Sequence, residues 1–210
     1  MGGTGQILTL RRTEMSHILY TDIDGVLLQF IPTLLDVLKE RREIPCDVLE
    51  DDVSTFYIEE ALGLPPSVVA SAMSEVWTRP LPPYPGVQDM LGELNAMVEV
   101  VGLTDRPSPQ SLEAAKRDLA DLCLLQWHSV DSDKKVEVVR HRLMLDGFVF
   151  VLEDKLRTIT RMLDLPGQDR LFLYLMDRPW NNSMDLRGIR RVYTHAAVVD
   201  DVRWQLGRVR

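Results

Sequence analysis

Hydrophobic positions along this chain follow two alternating rhythms. Runs of consecutive apolar, β-prone residues at 17–21, 98–104, 148–152 and 171–176 predict buried strands of a parallel sheet. Between them, apolar residues recur at three- and four-residue spacing and predict helices over 87–97, 109–122, 134–145 and 155–163. A shorter apolar stretch at 123–127, the run Arg191-Val192-Tyr193 and a terminal helix complete the pattern. Alternation of this kind predicts an α/β fold, a doubly wound Rossmann-like parallel sheet.

One segment breaks the alternation. Residues 27–39 are apolar at helical spacing, with a kink expected at Pro32. From 41 to 82 helical patterns continue without a core strand, among them a helix over 67–77 opened by Pro65-Pro66. The cluster Pro80, Pro82, Pro83 and Pro85 then turns the chain back. This pattern predicts a small helical cap inserted after the first strand. The expected division is a flexible leader over 1–14, a core from 15–27 and 83–210, and a cap over 28–82.

Composition narrows the function. A chain of 210 residues that is 45% hydrophobic and 27% charged suits one globular domain with an inserted subdomain. A net charge of -8 argues against a nucleic-acid polymer as partner, because phosphate backbones are held by basic surfaces. With only Cys46 and Cys123 there is no disulfide framework or zinc site, which points to a reducing cytoplasm. No apolar run spans a bilayer, so no membrane partner is expected. The first residues lack a signal-peptide pattern, Gln6 does not suit myristoylation, and Met15 is an alternative start. The sequence is compatible with a homodimer.

Candidate chemistry sits at predicted strand ends. The first strand stops at Asp22-Ile23-Asp24-Gly25, where period-two geometry lets both carboxylates converge while Ile23 returns to the core. Crowded carboxylates at a strand tip call for a cation, and hard divalent ions such as Mg²⁺ choose oxygen ligands. Thr104 ends a second strand, Lys134 and Lys135 open a helix, and Glu153-Asp154 close the strand over 148–152. Each has a plain alternative: a turn hydroxyl, solvated lysines, a helix cap. In a doubly wound sheet, however, all four stations meet in one crevice.

That ordered set resembles the haloacid dehalogenase superfamily over roughly residues 17–195, through Asp22-x-Asp24-Gly25-Val26-Leu27, Thr104, Lys135 or Lys134, and Glu153-Asp154. Phe30, Tyr84-Pro85-Gly86-Val87 and Asp177-Arg178-Pro179-Trp180-Asn181 make it most similar to the deoxyribonucleotidase-like branch. The acid pair is Glu-Asp where some nucleotidases carry Asp-Asp. The acidic segment 128–133 leaves both lysines open, and the placement of Val138 and Val139 favours Lys135.

The resemblance implies a Mg²⁺-dependent phosphohydrolase that acts on a small phosphate monoester through an aspartyl-phosphate. Asp22 is then the nucleophile, Asp24 the acid and base, and Thr104 and Lys135 (or Lys134) the phosphate donors. Asp22, the Asp24 carbonyl, Asp154 and Glu153 would hold the metal. Phe30, Tyr57 and Trp77, with Asp105 and Arg106 after Thr104, would meet the substrate, and a (deoxy)nucleoside monophosphate is the favoured class. The alternatives are a sugar phosphatase, a phosphomutase, or a non-catalytic domain that binds a ligand or partner.

Overall fold

In a computed structural model of the chain, residues 17–208 are described, apart from 107, 125 and 183–186. The expected leader over 1–14 lies outside them. Among the described residues, six strands form one sheet: β1 (Ile18–Thr21), β2 (Glu99–Thr104), β3 (Gln126–Ser129), β4 (Val149–Glu153), β5 (Leu171–Met176) and β6 (Ile189–Val192). Their order is β3-β2-β1-β4-β5-β6, and every neighbouring pair is parallel.

β1 is the centre, and the winding direction reverses there. Its last residue, Thr21, pairs with Gly102 of β2 and Leu152 of β4, so the three strands end within two residues of one another. A reversal of this kind opens a crevice at the carboxyl ends of the strands. Successive residues of β1 feed opposite faces. Leu19 packs with Phe150 and Tyr174 on one side, and Ile18 and Tyr20 pack with Val101, Val149 and Val151 on the other.

After β1 the chain makes an all-helical excursion through α1 (Phe30–Glu40), α2 (Ile58–Leu62) and α3 (Pro66–Val76). Pro32 falls in the first turn of α1, where no i−4 bond is lost, so the expected kink has no cause. The two ends of the excursion are bonded together. Gln29 N–H donates to Pro82 O and Tyr84 N–H to Leu27 O, both at 2.9 Å.

The remaining helices are α4 (Val87–Asn95), α5 (Pro109–Leu119), α6 (Ser132–Arg142), α7 (Leu156–Thr160) and α8 (His195–Gly207). α6 begins before the lysines because Asp131 caps it, accepting from Lys134 N–H at 2.8 Å. β3 overlaps the apolar stretch 123–127 at Gln126 and Trp127 and continues to Ser129; it is an edge strand and is largely exposed. Buried His195 at the start of α8 reaches Val26 O at 2.9 Å and Pro85 O at 3.1 Å, which ties the turn after β1 to the return of the excursion. Among the described residues, no helix is long and apolar enough to cross a membrane.

Candidate active site

The site is built outward from the tip of β1. Asp22 N–H donates to Leu152 O at 2.8 Å, which extends the β1–β4 pairing by one residue and fixes where its side chain emerges. Ile23 turns fully into the core. Gly25 adopts φ +80°, and the N–H groups of Leu27 and Leu28 both return to Ile23 O at 2.9 Å, closing a tight turn.

Three buried carboxylates gather beside that turn. Oδ1 of Asp22 accepts from Ile23 N–H at 2.8 Å and from Lys135 Nζ at 2.9 Å, and the same ammonium lies 3.1 Å from Glu153 Oε2. Asp154 Oδ2 accepts from Trp180 Nε1 at 3.0 Å, and Asp154 O accepts from Asn181 Nδ2 at 2.7 Å. Asp22, Glu153 and Asp154 each offer an oxygen to a group whose atoms lie within 4.8 Å of one another.

The electrostatics follow from that crowding. Burial, reinforced by the Glu153 charge, holds the Asp22 carboxyl well above the usual range, although Lys135 opposes the shift. Burial also raises Glu153. Asp154 is pushed up to about 7 by burial and by the Asp22 charge. Burial alone would lower Lys135, but Asp22 and Glu153 hold it firmly protonated. With all three carboxylates ionised, the single ammonium leaves two negative charges to balance. An all-oxygen donor set with that deficit fits a divalent cation such as Mg²⁺.

Asp24 faces the same opening but a different partner. Arg106 binds it in a fork, Nε to Oδ2 at 2.8 Å and Nη2 to Oδ1 at 2.6 Å, and Thr104 Oγ1 stands 3.5 Å from Oδ2. The two aspartates converge on one mouth without sharing a ligand set. Asp105 leans away, to Lys155 Nζ at 3.3 Å and Ser132 Oγ at 3.2 Å. Burial would raise its carboxyl, but the Lys135 and Lys155 charges bring it below its ordinary value. Of the two candidate lysines, Lys135 is buried in the cluster. Lys134 pairs with Asp131 at 2.8 Å on the exposed side of α6, so its candidacy is withdrawn. Helical periodicity explains this, because consecutive residues cannot share a face.

Above the turn lies a cavity of about 330 Å³, lined by Asp22, Asp24, Arg106 and Asp154 below and by residues of the helical excursion above. Phe30 and Trp77 line it but stack on each other at 4.9 Å, and the Arg106 guanidinium covers Trp77 at 4.7 Å. Tyr57 is half exposed and meets Phe56 edge-on at 6.3 Å. Phe56 in turn lies under Lys155 Nζ at 4.5 Å.

Sequence reasoning missed Phe56, Lys155 and the roles of Trp180 and Asn181. The last two follow β5 at the carboxyl end of the sheet, and that position was the available signal.

No protein-family model and no curated protein matches the sequence. Solved structures do match the fold. A haloacid dehalogenase-like family hydrolase from Xanthomonas campestris aligns with a TM-score of 0.59 at 16% identity, covering 95% of this chain and 97% of that one. The L-2-haloacid dehalogenase of Xanthobacter autotrophicus aligns with a TM-score of 0.55 at 15% identity, covering 90% and 99%. A haloacid dehalogenase-type protein from Bacillus subtilis, determined bound to magnesium, gives 0.60 at 11% identity, again covering 90% and 99%. The sheet order, the strand-tip cluster and these alignments lead to one conclusion: the chain has the haloacid dehalogenase-like fold.

Proposed function

We propose that the chain is a Mg²⁺-dependent phosphomonoesterase with Asp22 as nucleophile. The observation that carries this reading is the carboxylate of Asp22, oriented by Ile23 N–H and Lys135 and flanked by Glu153 and Asp154. Asp22 attacks phosphorus in line, forming an aspartyl-phosphate that water later hydrolyses. Asp24 protonates the departing oxygen and then takes a proton from that water. Lys135, Thr104 and the amide after it stabilise the charge on the transferring group, since phosphoryl transfer is catalysed mainly by positioning and electrostatics. Asp22, Asp154, the Asp24 carbonyl and Glu153, directly or through water, would hold magnesium, which offsets the repulsion between an anionic nucleophile and an anionic phosphate.

The helical excursion over 28–82 acts as the cap and sets substrate choice. Phe30 and Trp77 are occupied with each other and with Arg106, which leaves Phe56 and Tyr57 as the aromatic surface on which a flat base can lie. A nucleoside monophosphate is the substrate class this favours.

The test is release of inorganic phosphate from a panel of phosphate esters, with Mg²⁺ and with EDTA. EDTA-sensitive release, strongest on nucleotides, is the expected result. A preference for sugar phosphates would remove the nucleotide assignment. Absence of release from every ester would leave a ligand-binding domain in place of an enzyme.

A further inference from the structure

Arg106 is committed on three sides. Its fork holds both oxygens of Asp24, its Nη1 donates to Ser111 O at 3.1 Å, and its plane lies 4.7 Å from the Trp77 ring centroid. The side chain is 1% exposed, whereas that of Asp24 is 20% exposed and lines the cavity. A second carboxylate waits behind the arginine. The side chain of Asp118 on α5 is buried; its Oδ1 accepts from Arg117 Nε at 2.8 Å, whereas its Oδ2 has no hydrogen-bond partner and stands 3.8 Å from Arg106 Nη1. An unsatisfied buried carboxylate oxygen is costly, and a guanidinium within an ångström of bonding distance is the group able to satisfy it.

We infer that Arg106 is the positioning residue of the proton-transfer step, with Asp24 and Asp118 as its two alternative anchors. The inference rests on the phosphomonoesterase reading. Paired to Arg106, Asp24 is aimed at the cavity but occupied on both oxygens. When Arg106 shifts toward Asp118, an oxygen of Asp24 becomes free to carry a proton to the leaving group. As the bond from Asp22 to phosphorus forms and the ester P–O bond breaks, that proton passes to the departing oxygen, which leaves as a neutral alcohol. Trp77 places the arginine under the helical excursion, so the same contact links this step to the segment that roofs the cavity.

Leaving-group dependence tests the inference, because a merely structural arginine would affect all substrates alike. The measurement is kcat/KM, which covers steps through departure of the alcohol, on an alkyl phosphate and on nitrophenyl phosphate. The second leaves as a stable anion without needing a proton. Asp24→Asn sets the reference, with a loss of roughly a hundredfold on the alkyl ester and little on the aryl ester. Arg106→Lys and Asp118→Asn are expected to show the same skew, about tenfold between the two esters.

Equal losses on both esters, in variants with wild-type circular dichroism, would overturn the inference. Asp118→Asn is nearly isosteric and lies outside the cavity, so it decides the matter if Arg106→Lys does not fold. A wild-type protein that cleaves neither ester with Mg²⁺ overturns the parent reading itself, an outcome distinct from a missing skew.

Discussion

A Cβ on residue 25 would collide with Oδ2 of Asp154, so Gly25 makes room for the carboxylate that completes the acidic group. The same residue holds φ +80°, so its lack of a side chain serves both the turn and the cluster. Gly25→Ala is therefore expected to cost about 1–2 kcal/mol for the left-handed backbone alone, and more from the displaced Asp154. Thermal unfolding gives the first effect. Magnesium titration by calorimetry gives the second, as weakened binding.

Trp180 acts on the same oxygen from the other side. Its Nε1–H is the donor that holds Asp154 Oδ2 at 3.0 Å in a buried setting. Trp180→Phe keeps most of the ring volume and removes only the donor. It is expected to weaken magnesium binding by about 10- to 100-fold, as loss of groups that orient metal ligands does. Unchanged affinity would show that Asp154 is positioned by the backbone alone.

Lys135 and Lys134 separate cleanly. Lys135→Met leaves the buried carboxylates of Asp22 and Glu153 without their cation, and about 3–5 kcal/mol of stability is expected to be lost along with turnover. Lys134→Ala removes an exposed pair with Asp131 and should leave turnover unchanged. Parallel melts and phosphate-release assays of the two variants measure both effects.

Asp22→Asn is expected to abolish phosphate release while the fold survives, because the proposed nucleophile is lost and one charge is removed from a group that already repels itself. A folded variant with normal turnover would refute Asp22 as nucleophile.

Stability of the metal-free protein should carry the signature of Asp154. Its carboxyl is raised from 3.8 to about 7, so between those values the folded state holds a proton that the unfolded state has lost. Linkage then makes its contribution largest below 3.8 and progressively lost as pH rises through about 7. Melts in EDTA from acid to neutral pH, compared between wild type and Asp154→Asn, isolate this slope from other groups. Added Mg²⁺, which binds the ionised carboxylates, is expected to flatten it.

Much of the site was readable because strands impose strict geometry. A run such as 148–152 followed by Glu153-Asp154 places acids at a sheet tip wherever the strand lies, and β4 does so. The doubly wound arrangement followed from the alternation of elements, and the order β3-β2-β1-β4-β5-β6 brings Asp22, Thr104 and Glu153 to the same edge. The edge strand β3 was less legible. Its exposed residues carry little of the apolar run by which a buried strand is recognised.

The amino-acid order by itself determined the strand-tip carboxylates, the glycine turn and the helical excursion between β1 and β2, because these depend on local periodicity and backbone freedom. The sequence favoured Lys135 over Lys134, and the structure decided it; tertiary structure alone decided that Arg106 captures Asp24 and that Phe30 and Trp77 stack on each other. Those choices depend on which helix face meets the sheet and on partners as far apart in the chain as Asp24 and Arg106. Pairwise distance is set by the packing of whole elements, and no local pattern encodes it.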